Sequence, residues 1–320
     1  MYIEQAYKGL TDAWRYIIGG AIIFVAWQVI GMIPLGIAIF IKVAEGGKIA
    51  ADIPGMVSLL GENLFLFLML ISFAVGLVGV FVSSKLLHKL SIKDLTTTRP
   101  KIDWKRFWFI FILWGMVSSS FVLIDFYFIT PEDYVWNFEM KPFLILLAIG
   151  VCLLPLQTSF EEYAFRGYGM HFLGTLFKNR WLPLLLTSLA FGGLHIFNPE
   201  VKQLGYVIMV YYIGTGLFLG IITLMDDGLE LALGFHAANN LFTALLVTAD
   251  WTALQTHSIL KDISDPAEMA LTEIFVPVFI IFPILLFILS KKYGWTNWKD
   301  KLFGPVVEPP NEDYKIIGEE

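Results

Sequence analysis

Residues 142–166 read PFLILLAIGVCLLPLQTSFEEYAFR: an apolar run with no charge until Glu161, then two acids and an arginine within six positions. About 20 apolar residues suffice for a helix to cross a hydrocarbon core of ~30 Å. A charged side chain at that depth costs a few kcal/mol or more, so Glu161, Glu162 and Arg166 mark a functional position. The run stays helix-compatible to Phe177, 36 residues in all, or ~54 Å at 1.5 Å per residue, too long for one straight span. Pro155, just before the acids, can break or kink it. Two paths follow: a span over 142–162 continued by a helix along the cytoplasmic interface near Met170–Phe177, or one long kinked helix that protrudes. Two full spans would invert everything downstream and rank last.

The rest of the chain has the same character. It is 57% hydrophobic with a mean hydropathy of +0.70, and 16% of residues are charged where a soluble protein has about a quarter. Further apolar runs cover 16–41, 63–84, 107–129, 181–197, 204–224, 229–248 and 271–290. The expected fold is all-α, a polytopic membrane helix bundle of about eight transmembrane helices over residues 1–303, with a motif-bearing core at about 140–250. Residues 304–320 read as a polar, flexible tail. The first run, near Glu4 and Asp12 and longer than a signal-peptide core, reads as a retained span. With the N-terminus inside, 16 of the 22 Lys and Arg fall in inside loops and 5 outside, so both termini are expected in the cytoplasm. That makes the chain a multi-pass integral membrane protein, of the cytoplasmic membrane in a prokaryote. The net charge of −6 is confined to loops, and no basic cluster suits nucleic acid. Cys152, the single cysteine, excludes an intrachain disulfide and a cysteine zinc site and reads as a small core residue.

Two more segments set polar side chains in apolar surroundings: Phe191-Gly-Gly-Leu-His195 and His236-Ala-Ala-Asn-Asn240. On a helix, Glu162 and Arg166 are i,i+4 neighbours able to pair, each offsetting part of the other's burial cost. Glu161 is turned ~100° away and stays uncommitted. If 156–177 and 181–197 form an antiparallel hairpin, His195 arrives beside the Glu161 turn, and Gly192 and Gly193 allow close helix approach. His236 and Asn240, again i,i+4, can point into one cavity. A carboxylate and an imidazole can activate water. An imidazole and an amide can donate to an oxyanion, often worth ~3–4 kcal/mol. Glu161, His195 and His236 also carry the donor types of a Zn²⁺ site with an open position, and spacing leaves both readings open.

In order and spacing these motifs resemble the CAAX-type intramembrane protease family, which includes prenyl-protein endopeptidases and bacteriocin-processing members. The family pattern is Glu-Glu-x-x-x-Arg, Phe-x-x-x-His and His-x-x-x-Asn; here it appears as Glu161-Glu162…Arg166, Phe191…His195 and His236…Asn240. The resemblance covers about residues 140–250; residues 1–139 match only in being hydrophobic spans. It implies an endopeptidase embedded in membrane lipid, cleaving near the C-terminus of a prenylated CAAX-type or other membrane-delivered peptide or protein. By that resemblance Glu161 and His195 activate the water, His236 and Asn240 stabilise the oxyanion, Glu162 and Arg166 complete the catalytic set, and Phe191 lines the substrate cavity.

Each residue also has a plainer role. Glu161 could be a solvated helix-end acid, Glu162–Arg166 a structural clamp, and His195 or His236 a buried ring bonded to a carbonyl. Asn240 could join helices, with Asn239 facing away. His88, His171 and His257 read as interface or loop residues, and Asp125 as an outer-surface acid. Two competing functions use the same side chains: a proton- or ion-coupled transporter, and a non-catalytic immunity or scaffold protein. The lack of an internal repeat argues against the first, and the full motif set against the second.

Overall fold

The structure, a computed structural model, describes residues 1–49, 52–268 and 270–310. Eight helices carry the apolar runs: α1 Ala13–Ala44, α2 Glu62–Leu87, α3 Trp104–Ile129, α4 Met140–Phe177, α5 Trp181–Phe197, α6 Tyr206–Asp226, α7 Glu230–Leu246 and α8 Leu271–Tyr293. All but α5 and α7 are long and apolar enough to cross a membrane by length and composition. α5 and α7 reach about 25 Å at 1.5 Å per residue, short of a ~30 Å core. Three short strands join the bundle: β1 Tyr134–Trp136, β2 Val247–Thr248 and β3 Leu260–Asp262. Their order is β1-β3-β2, with β1 antiparallel and β2 parallel to β3.

Of the two paths expected for α4, a span continued by an interfacial helix or one long kinked helix, the structure has a continuous helix. Its backbone widens into a π-helical stretch at Tyr163–Gly169, directly after the two acids. Pro155 sits inside it without breaking it, and Thr158 Oγ1 donates to the carbonyls of Leu154 (3.1 Å) and Pro155 (3.3 Å) nearby. The second half of α4 neither lies on the surface nor protrudes bare. Tyr163, Arg166, Gly167, Tyr168, Met170, His171 and Gly174 are buried. An N-terminal 3₁₀ turn, Ile3–Lys8, covers them; a Cβ on Gly174 would meet Ile3 Cγ2 at 2.3 Å. His171, expected near an interface, is therefore 1% exposed, while Cys152, expected in the core, faces outward.

The loops gather into two groups. At one end Tyr2 N–H donates to Asp227 Oδ1 (3.1 Å), Arg180 pairs with Glu4, Thr98 N–H reaches the Asp227 carbonyl (3.1 Å), and Val306 N–H reaches the Lys178 carbonyl (3.0 Å). Arg99 bridges Asp226 (2.9 Å) and Glu230 (3.1 Å), and Arg106 holds Asp226 (2.6 Å), fixing the α6–α7 turn against the start of α3. At the other end stand the sheet, the Ala253 N–H bond to Glu200 (2.8 Å) and the Asn63 bond to the Pro142 carbonyl (2.9 Å). Residues 304–306 of the expected tail are thus docked, and 311–320 fall outside the described residues. Within the bundle α4 packs between α2 and α7, α7 against α3, α5 against α6, and α1 against α2.

Candidate active site

Glu162 and Arg166, one helical turn apart on α4, are both fully buried and bonded, Nη1 to Oε1 at 3.0 Å. Arg166 also donates Nη2 to the Gly216 carbonyl on α6 (3.0 Å), and its guanidinium lies 4.5 Å from the centre of the Phe191 ring on α5. A charge stranded there would cost several kcal/mol, and these contacts are what make the pair tolerable. His236 on α7 closes the group: Nδ1 meets Glu162 Oε1 at 2.8 Å, and Nε2 stands 3.4 Å from Glu161 Oε2. The two neighbouring acids thus flank one imidazole, which the i,i+4 reading of Glu162–Arg166 alone did not reveal.

His195 sits elsewhere on the rim. Its Nδ1 is 2.8 Å from the Phe191 carbonyl, and its ring stacks on Tyr212 of α6 at 4.4 Å and 24°. Phe191 is the common neighbour, 4.9 Å from the His195 ring and 5.8 Å from the His236 ring. Of the two glycines between them only Gly192 serves close approach: a Cβ there would meet Ile213 Cγ1 at 2.5 Å, whereas one on Gly193 meets nothing within 4 Å. Just past His195, Glu200 ties the outer loop to the end of α5, and burial raises its carboxyl above the usual range.

Asn240 points at Gln157 of α4, donating Nδ2 to Oε1 at 3.0 Å. Gln157 in turn donates Nε2 to Glu161 Oε1 at 2.6 Å. Asn239 does not face idly away: its Oδ1 accepts the Trp114 indole N–H (3.1 Å), and its Nδ2 reaches Asn240 Oδ1 (3.2 Å). The sequence reads Asn239 as facing away and does not single out Gln157, Trp114 or Tyr212; Gln157, one turn before Glu161, carries the one available signal.

A zinc site would need Glu161, His195 and His236 to converge on one point. Among the described residues no three His, Cys, Asp or Glu side chains form a group able to hold a metal ion, so no step below runs through one.

A cavity of about 170 Å³ opens beside Glu161. Gly20, Ile23, Phe24 and Trp27 of α1 form one wall; Phe73, Phe160, Phe165 and Leu194 complete it, and Glu161 is the charged member of the lining. Two of the lining residues, Phe24 and Leu194, are also 57% and 51% exposed on the bundle's outer surface.

Residues 104–242 match the sequence profile of the family described as type II CAAX prenyl endopeptidase Rce1-like. The uncharacterized protein YyaK of Bacillus subtilis (strain 168) is 31% identical over 243 residues, covering 75% of this chain and 80% of that protein. No solved structure matches.

Proposed function

The chain belongs to the Rce1-like CAAX-protease family, a family of membrane peptidases acting on peptide or protein substrates, and we propose that it cleaves a lipid-anchored peptide with Glu161, His195, His236 and Asn240. The observation that carries this is the Glu161–His236 pair, 3.4 Å apart, with Glu161 lining an apolar cavity.

The hydrogen-bond inventory supports a division of labour. The Phe191 carbonyl can only accept, so His195 bonds it through Nδ1–H, and Nε2 keeps a lone pair for a proton from water. His236 faces carboxylate oxygens on both ring nitrogens. With a proton on Nε2, His236 is a donor for a developing oxyanion, joined by the second Nδ2–H of Asn240. In the reaction, the water oxygen bonds to the scissile carbonyl carbon and its proton passes to Glu161 or to His195 Nε2. When the C–N bond breaks, that proton goes to the leaving amine. Glu162 and Arg166 hold His236 in place.

The cavity suits an alkyl or isoprenoid chain: burying each methylene is worth ~0.8 kcal/mol, and the lining offers the chain no competing charge except Glu161. A substrate whose cysteine carries such a chain would have its next peptide bonds delivered to Glu161.

The test uses protein purified in detergent and a farnesylated CAAX peptide with its unlipidated twin. Wild type releases the C-terminal tripeptide from the farnesylated form, and Glu161→Gln does not. Gly20→Leu fills the cavity from a position where a new side chain meets nothing within 4 Å. It should selectively slow the farnesylated peptide. Wild-type turnover in Glu161→Gln would sink the mechanism, and equal cleavage of both peptides would sink the cavity's role.

A further inference from the structure

Four side chains behind Glu161 form a single hydrogen-bonded line across three helices. Trp114 of α3 donates Nε1–H to Asn239 Oδ1 (3.1 Å), and Asn239 donates Nδ2–H to Asn240 Oδ1 (3.2 Å). Asn240 donates to Gln157 Oε1 (3.0 Å), and Gln157 to Glu161 Oε1 (2.6 Å).

The direction of this line is not arbitrary. An indole nitrogen has a proton and no acceptor capacity, so it can only start a chain. Asn239 must therefore turn its oxygen to Trp114 and its NH₂ onward. The same choice passes to Asn240 and then to Gln157, whose NH₂ must end on an acceptor. Glu161 supplies that acceptor. Every donor in the line points toward the carboxylate, and bonds aligned in this way polarise one another.

We propose that Trp114, Asn239 and Gln157 are positioning residues: a one-way relay that fixes the Glu161 carboxylate and the Asn240 amide relative to each other. The inference rests on Glu161 and Asn240 being working groups of the proposed reaction. Without the relay a long Glu side chain is free to swing into the apolar cavity, and the Asn240 amide is free to flip. With it, Asn240 spends its oxygen on Asn239 and one N–H on Gln157, leaving the other N–H for the substrate carbonyl. The other ionisable neighbours of Glu161 are His236 on α7 and Glu162 and Arg166 on its own helix; α1 and α2 present apolar side chains to it. The relay is thus the neutral support of a carboxylate otherwise surrounded by charge or hydrocarbon.

Trp114 offers a mild disconnection, because Phe in its place keeps the ring stacked on Phe235 (centroids 4.6 Å apart) and removes only the N–H. Gln157→Leu removes the last link. Two readouts apply to both variants. The first is the infrared carboxylate stretch of Glu161, isolated as the difference between a protein and its Glu161→Gln counterpart. It reports the hydrogen bonding of that group whether or not the protein is a peptidase. The second is kcat and KM on the farnesylated peptide. The relay predicts a band shift of one sign in both variants, larger for Gln157→Leu. It also predicts a loss in kcat approaching ~10²-fold for Gln157→Leu, as for a misplaced catalytic group, with KM within about twofold. Trp114→Phe should give a smaller loss of the same kind. A band unmoved in both variants overturns the proposal, and a band moved by Gln157→Leu alone overturns the relay beyond Gln157. If wild type cleaves no peptide, the infrared result still decides between these outcomes.

Discussion

Arg166 is fully buried, and its guanidinium meets a carboxylate, a carbonyl and an aromatic face, so its removal leaves the buried Glu162 with His236 as its remaining polar partner. Breaking such a pair costs about 3–5 kcal/mol, while replacing both partners with apolar groups of similar size is much milder. Arg166→Met and Glu162→Leu should each lower the unfolding free energy by about that much, and the double variant by clearly less than their sum. Additive losses in denaturant titrations of the purified protein would mean that the two do not act as a pair. The pair was legible because ionisable residues in an apolar run stand out at four-residue spacing. The partner of each histidine was not. Spacing put His195 beside Glu161; the structure adds that His236 stands against Glu161 and that His195 stacks on Tyr212. Which way a helix faces is set by packing across elements, and i,i+4 arithmetic within one helix carries no such information. Amides such as Gln157 and Asn239 are quieter still, because a neutral side chain in a span has many uses and its spacing selects none of them.

At the scale of elements, the glycines of α5 separate what sequence could foresee from what it could not. Both were expected to bring helices together, and one does. Gly192 lies against Ile213 of α6, where a Cβ would sit 2.5 Å from Cγ1 and 3.2 Å from the backbone nitrogen; Gly193 faces open space. Gly193→Ala should therefore leave activity near wild type and raise the melting temperature slightly, since Ala in a helix is favoured by about 1 kcal/mol over Gly. Gly192→Val must part α5 from α6 and shift Phe191 and His195 with it. It should lower both the melting temperature and kcat. Equal responses of the two variants in thermal unfolding and turnover would refute the contact. Helix ends were legible to within a few residues wherever apolar runs met polar loops. α4 was the exception, because Tyr163–Phe177 is apolar enough to lie on a membrane surface and also to be buried. Part of what buries its Met170–Phe177 end is Ile3–Lys8, a segment whose sequence reads as an ordinary polar N-terminus.

For the whole molecule, the two loop groups give the charge bias a structural frame. The end built from the N-terminal turn, the 88–103 loop, the 178–180 turn, the 227–229 turn and residues 294–306 holds nine of the 22 lysines and arginines, with Arg15, Lys85, Lys105, Arg106, Lys291 and Lys292 on the adjoining helix ends, and the sheet end holds few. Positive loops stay in the cytoplasm during insertion, so the first end is predicted to face inward and the sheet outward. Glu161 lines the cavity between α1, α2, α4 and α5, whose lining residues belong to these helices and to neither loop group. The prediction can be read by thiol labelling. Cys152 faces outward from the bundle, so it must first be replaced by Ser to silence the background. Lys101 and Asp265 are both exposed and belong to opposite loop groups, so each tolerates a cysteine. In intact cells a membrane-impermeant maleimide should label Asp265→Cys and leave Lys101→Cys untouched until the membrane is permeabilised. The reverse pattern would invert the chain in the membrane. Labelling of both in intact cells would mean that the two loop groups lie on one side, and that the helices between them do not cross.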